Sequence, residues 1–172
     1  MQSPFEYGET YAPVCRLSTV RTLLSYATSQ GTKWGFRGLD ISTAFINATL
    51  KDPVYMEPPE GYEHPDSKGM VWQLKKAIYG LKQSPRDWYD TLIAWMMDTN
   101  TNYKTGFEQS GNDPCLFYKT VGDKILWCCI YVDDMLMAGD EELMEGFMAT
   151  IMKQYKTRDL REPKTFLGME IN

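Results

Sequence analysis

The chain has 172 residues, 43% hydrophobic and 24% charged, which suits one globular domain with a real core, or a domain plus a small lobe. A formal net charge of −5 argues against a free-standing nucleic-acid binder with a uniformly basic surface, although a local basic patch can coexist with an acidic remainder. No apolar run reaches the roughly eighteen residues of a membrane-spanning helix, and MQSPFEYGET has no basic segment followed by an apolar one, so neither a membrane partner nor a signal peptide is expected.

Residues 16–29, RLSTVRTLLSYATS, carry Leu17, Val20, Leu24 and Ala27 at helical spacing, with Gly31 as the stop. KWGFRGLDI predicts a strand in which Trp34 and Phe36 alternate with smaller or polar residues. PVYMEPPEGY starts extended and runs into a turn-rich loop reaching Gly69, and MVWQL is a short strand. QSPRDWYDTLIAWMMDT is the clearest helix. Ser84 suits the cap, Pro85 the first helical position and Asp87 the first turn, while Trp88, Leu92, Trp95 and Met96 form one apolar core face.

CLFYKTVGDKILWCCIYV predicts a hairpin turned at Gly122-Asp123, and a second hairpin turn falls at Asp133-Asp134 before MLMAG. EELMEGFMATIMKQY is an amphipathic helix, acidic at its start as the helix dipole favours, and KTFLGMEI is a last strand. The order helix, strand, strand, helix, hairpin, helix, strand predicts an α+β fold, an antiparallel sheet with helices on one face. Cys15, Cys115, Cys128 and Cys129 have no metal or disulfide spacing and read as reduced core thiols of an intracellular protein. His64, the one histidine, lies in a polar loop and reads as a surface residue.

Asp133 and Asp134 interrupt the apolar run CCIYVDDMLMAG. Adjacent acids between strands are commonly a solvated turn. Here both flanks are apolar, and Asp40 closes a separate apolar strand. Side-by-side strand ends would bring Asp40 against Asp133. Close carboxylates resist joint ionisation, and a divalent cation removes that cost. Oxygen ligands without histidine or cysteine point to Mg²⁺ or Mn²⁺, and acids holding two such ions suit phosphoryl transfer.

YVDD within this run resembles the YxDD box of reverse transcriptases. LDISTAFINATLKDPVYMEPPEGY followed by VWQLKKAIYGLKQSPRDWY is similar to the reverse transcriptase of copia-type long-terminal-repeat retrotransposons. YAPVCRLSTVRTLL before these boxes and KTFLGMEI after them match that family in order, so the resemblance covers nearly the whole chain.

The resemblance implies an RNA-directed DNA polymerase adding deoxynucleotides to a primer on an RNA or DNA template, with two Mg²⁺ ions, Mn²⁺ being the other candidate. Asp40, Asp133 and Asp134 would be the catalytic acids, with the Ile41 carbonyl as a further metal ligand. Thr43 and Ala44 would approach the triphosphate, and Phe45 would be the steric gate beneath the incoming sugar. Tyr79, Gly80, Lys82 and Gln83 would hold the templating base and nucleotide. Phe166, Leu167, Gly168 and Met169, running on to Glu170, would form the primer grip, a hairpin that positions the primer end.

Lys75, Lys76, Lys82 and Arg86 concentrate basic charge beside aromatics, as phosphate contacts require. Phe45 alone also reads as a core aromatic on a short helix, FLGME as a core strand, and the basic cluster as a solvated face.

The family implies a polymerase palm-type antiparallel sheet plus partial fingers across residues 1–172. Fingers elements would span about 1–35 and 48–85, and the palm about 36–47 and 86–172, ending at the primer grip. The family's upstream basic strand, thumb and RNase H are expected to lie outside this sequence. Ser42 stands where the family often has lysine, and INA replaces LNG; neither changes a carboxylate.

In a full polyprotein the neighbours would be integrase and RNase H regions, and an active element would place the chain in cytoplasmic virus-like particles. The alternative is a truncated, inactive relic acting at most as an interaction domain. A palm-type cyclase or DNA-templated polymerase fits the acids but not YGLKQSP or FLGME.

Overall fold

Alternation in GFRGLDI and the long apolar stretches beyond Cys115 build one antiparallel sheet. The computed structural model describes residues 10–31, 34–62, 69–100 and 105–171, so His64 lies outside the described residues. The chain divides into two compact units: Pro13–Ala44 with Leu92–Asn172, and Phe45–Thr91 with the N-terminal stretch ending at Ala12. Among the described residues no helix is long and apolar enough to cross a membrane.

The larger unit carries β1 (Gly35–Ile41), β4 (Glu108–Gln109), β5 (Leu116–Val121), β6 (Lys124–Tyr131), β7 (Asp134–Gly139) and β8 (Thr157–Arg161). They form a six-stranded sheet in the order β4-β5-β6-β7-β1-β8, with every neighbour antiparallel. The β5–β6 turn is Gly122-Asp123, as the sequence predicts.

From Met135 to Gly139 every residue of β7 is buried, so the sheet is covered on both faces. On one face, α4 (Glu141–Gln154) sets Met144 against Gly35 and pairs Glu145 with Arg37. On the other, α1 (Leu17–Ser29) brings Thr19, Leu23 and Tyr26 beside Leu116 and Trp127, around a cavity of about 350 Å³. The expectation of helices on one face is therefore corrected. Helical periodicity shows which stripe of a helix is apolar but not which side of a sheet receives it.

The buried stripe of α1 is Val20, Leu23 and Ala27; Leu17 is exposed and Leu24 only half-buried. The cause is Asp113, which fixes the rotation of the helix. Its carboxylate is 2% exposed and accepts from Thr19 Oγ at 2.6 Å, Arg16 N–H at 3.1 Å, Cys115 N–H at 2.9 Å and Cys15 Sγ at 3.7 Å. Burial alone would raise its pKa. The hydrogen bonds, led by Thr19, outweigh burial and hold it below the ordinary carboxylate value.

Asp113→Asn is expected to cost about 2–3 kcal/mol, because an amide turns one donor toward donors. The lowered pKa makes the stabilisation complete above the unfolded carboxylate value of about 4, and lost as pH falls through the folded value. Urea unfolding at stepped pH checks this. The variant should lose less stability on acidification, and parallel curves would contradict the role.

All four cysteines are free and buried, as read from the sequence. Burial pushes the Cys115 thiol up to about 12 and raises Cys128 further, so neither is a ready nucleophile. Asp140 caps α4 through Glu142 N–H and Leu143 N–H, both at 3.1 Å, and Trp95 packs its ring on Phe147 and Tyr155.

In the smaller unit, β2 (Tyr55–Met56) pairs with β3 (Trp72–Gln73). The one-turn helix α2 is Ala44–Asn47, and α3 spans Ser84–Met96. The predicted face of α3, Trp88, Leu92, Trp95 and Met96, is buried throughout. Ser84 is its first helical residue rather than a cap: its hydroxyl donates to the Ile78 carbonyl at 2.7 Å, which stitches the preceding loop instead.

The C-terminal segment is not one strand. β9 (Thr165–Phe166) and β10 (Met169–Glu170) form a hairpin turned by Leu167 and Gly168, both at positive φ. Two left-handed residues make the tight turn that antiparallel strands prefer, and the glycine takes its share without strain.

Candidate functional site

The end of β1 lies between the β6–β7 turn and β8. Tyr131 pairs with Asp134, Asp134 with Asp40, and Asp40 with Arg158. Directly opposed residues on antiparallel strands project to the same face, so these four form one row across the sheet. Asp133 occupies the turn next to the row. Its carbonyl accepts from Ile41 N–H at 2.8 Å, and Ser42 N–H donates to Lys156 at 2.8 Å, fixing β1 on both sides.

The turn is Val132-Asp133, one residue earlier than the Asp133-Asp134 turn predicted, so Asp134 rather than Asp133 stands opposite Asp40. Val132 has φ +58°, a left-handed conformation that costs an L residue roughly 1–2 kcal/mol and that a β-branched residue rarely takes. Backbone strain is thus held at the turn that presents the acids.

All three carboxylates are half-buried. Burial, then the charges of Asp133 and Asp40, raise the pKa of Asp134, with Arg158 opposing. Asp134 thus feels the charge of both other acids, a repulsion that a cation would relieve. The donor set, carboxylate oxygens with no histidine or cysteine grouped beside them among the described residues, fits a hard divalent ion. Among the described residues no three acidic, histidine or cysteine side chains are already grouped to hold one. Asp40 Oδ2 instead lies 3.6 Å from Arg158 Nε.

Sequence reasoning missed Arg158. TRDLR carries three charged residues and one apolar residue, so this edge strand reads as loop.

The other predicted residues fall in two places. Thr43 is exposed at φ +55°, its hydroxyl donating to the Ser42 carbonyl at 2.7 Å, and Ala44 is buried at the start of α2. Phe45 and Tyr79, both in the smaller unit, meet with ring centroids 4.5 Å apart. Gly80 has φ +99° and open space where a side chain would stand, so conformation rather than room calls for glycine. Gln83 is buried, and its carbonyl accepts the Asp87 N–H at 2.9 Å as α3 begins.

Of the basic cluster, Lys75, Lys76 and Lys82 are exposed. Arg86 is committed locally, to Asp90 at 3.1 Å and the Tyr11 carbonyl at 3.3 Å. Phe166 is buried in the C-terminal hairpin and Met169 half-buried opposite it.

Residues 2–172 match the family described as reverse transcriptase (RNA-dependent DNA polymerase). The chain is 36% identical over 166 residues to the Retrovirus-related Pol polyprotein from transposon RE1 of Arabidopsis thaliana, covering 96% of this chain and 11% of that protein. It is 36% identical over 168 residues to the Retrovirus-related Pol polyprotein from transposon TNT 1-94 of Nicotiana tabacum, covering 96% and 12%. Against the Transposon Ty1-H Gag-Pol polyprotein of Saccharomyces cerevisiae the identity is 28% over 157 residues, covering 89% and 8%. The chain therefore spans a small part of the length of these relatives. No solved structure matches.

Proposed function

The chain belongs to the reverse transcriptase family, and on that premise we propose that it is the polymerase region of a copia-type retrotransposon Pol polyprotein. It would extend a primer with deoxynucleotides on an RNA or DNA template. The observation that carries the reading is the row in which Asp40 and Asp134 oppose each other with Asp133 in the turn beside them.

In this reading Asp40, Asp133 and Asp134, with the Ile41 carbonyl, hold two Mg²⁺ ions, or Mn²⁺ in their place. When bound, these ions acidify the attacking primer hydroxyl and stabilise the leaving phosphates. The backbone at Thr43 and Ala44 lies along the triphosphate. Phe45 closes the space a 2′-hydroxyl needs. Tyr79, Gly80, Lys82 and Gln83 line the templating base and nucleotide, with Lys75 and Lys76 toward phosphates. Phe166, Leu167, Gly168 and Met169 hold the primer end. Support comes from Gly80, which without a side chain leaves its backbone open to a ligand, and from the tight turn at Leu167-Gly168.

The segments about 36–47 and 86–172 would be the palm, and about 1–35 and 48–85 part of the fingers. Integrase and RNase H regions are the partners within a full polyprotein.

The test is template-directed incorporation of a single deoxynucleotide on an RNA template, with Mg²⁺ and with chelator, by this chain and by a version carrying the flanking regions of its own polyprotein. Incorporation that needs Mg²⁺ and follows the template base is expected. Its absence in both forms contradicts the reading and favours a non-catalytic relic.

A further inference from the structure

The proposed gate ring is not the exposed ring of its pair. Phe45 is 9% exposed and Tyr79 58%. Their planes are tilted by 52° at a centroid distance of 4.5 Å, inside the range of direct aromatic contact. The backbone on both sides of Tyr79 is tied down. Ala77 N–H donates to the Ala48 carbonyl at 3.4 Å, next to the end of α2. The Ile78 carbonyl accepts from Ser84 Oγ at 2.7 Å and from Leu81 N–H at 3.4 Å. The positive φ of Gly80 turns the chain directly after the ring.

A gate works only while it cannot step aside. Phe45 sits on a helix of one turn, so its nearly buried ring is held by contacts from other segments, the Tyr79 ring among them. We propose that Tyr79 is a positioning residue for nucleotide discrimination: its ring packs on Phe45 and locks the gate in the orientation that excludes a 2′-hydroxyl. The proposal rests on the gate reading above and adds the element that makes the gate rigid. The ring does the work, not the hydroxyl.

The experiment compares kcat/KM for dTTP and UTP on one primer–template, for the unsubstituted chain and for Phe45→Ala, Tyr79→Ala, Tyr79→Phe and the double alanine variant. Equilibrium binding of the two nucleotides to the same complex reads the ratio without turnover. Tyr79→Ala is expected to lower discrimination about five- to tenfold, the scale of one aromatic pair, mainly through a lower KM for UTP. Tyr79→Phe is expected to restore it. The double variant should discriminate no worse than Phe45→Ala, because Tyr79 acts through Phe45.

A loss with Phe45→Ala but none with Tyr79→Ala overturns the proposal alone. So does a loss with Tyr79→Phe equal to that with Tyr79→Ala, or additive losses in the double variant. Unchanged discrimination in Phe45→Ala overturns the gate and the proposal with it. Failure of both the unsubstituted chain and the version carrying its flanking regions to extend or bind nucleotide overturns the functional reading itself. If Tyr79→Ala does not fold, Tyr79→Leu supplies apolar bulk without a ring and should discriminate less well than Tyr79→Phe; equal discrimination overturns the proposal.

Discussion

Asp133→Asn is expected to leave the chain folded and to reduce primer extension on the order of 10³-fold, the equivalent of several kcal/mol of lost transition-state charge stabilisation. Folding should survive because the contact that Asp133 makes with β1 is through its backbone carbonyl, which the substitution leaves in place. Asparagine is also at home in turns. What changes is charge. Burial first, and then the charges of Asp133 and Asp40, raise the pKa of Asp134, so removing the Asp133 charge should bring that pKa part of the way toward the ordinary value. Thermal unfolding checks the fold and single-turnover extension checks the chemistry. Full activity in a folded variant would sink the assignment of the acids.

Phe45→Ala is expected to admit ribonucleotides, raising kcat/KM for UTP relative to dTTP about 10- to 10²-fold. That is the range in which an unaccommodated group in a packed space costs about 1–3 kcal/mol. The ring is almost fully buried, so the substitution should also cost about 3 kcal/mol of stability. Phe45→Val, which keeps more bulk, separates the two effects: partial relaxation of discrimination with a smaller loss of stability. An unchanged preference in both folded variants would place the gate elsewhere.

The acid row was largely legible because charge is conspicuous where an apolar strand excludes it. Asp40, Asp133 and Asp134 each end or interrupt an apolar run, and adjacency in the sheet follows from pairing those runs. The turn was not legible to the residue. YVDD has none of the glycine or asparagine that marks a two-residue turn, and Val132 takes the left-handed position against its own preference.

The same limit hid the C-terminal hairpin. Leu167 looks like strand yet has φ +50°, so the residue pattern alone gave one strand, while the family resemblance gave a hairpin. β8 was missed because an edge strand needs no apolar alternation. The phase of α1 depended on Asp113, a carboxylate distant in sequence, and the two-sided covering of the sheet depended on which face each helix found. The contact of Phe45 with Tyr79 joins separate segments and leaves no local signal. Periodicity and punctuation reveal elements; long-range polar ties decide their rotation and side.

The central claim is that Asp40, Asp133 and Asp134 together hold divalent metal for nucleotidyl transfer. Its most direct test is a Mn²⁺ titration followed by electron paramagnetic resonance, with primer–template and deoxynucleotide present, comparing the unsubstituted chain with Asp40→Asn and Asp133→Asn. The expected result is bound Mn²⁺ in the unsubstituted chain and its loss in each variant, at concentrations where both variants remain folded. Binding that is unchanged when either carboxylate is removed would contradict the claim.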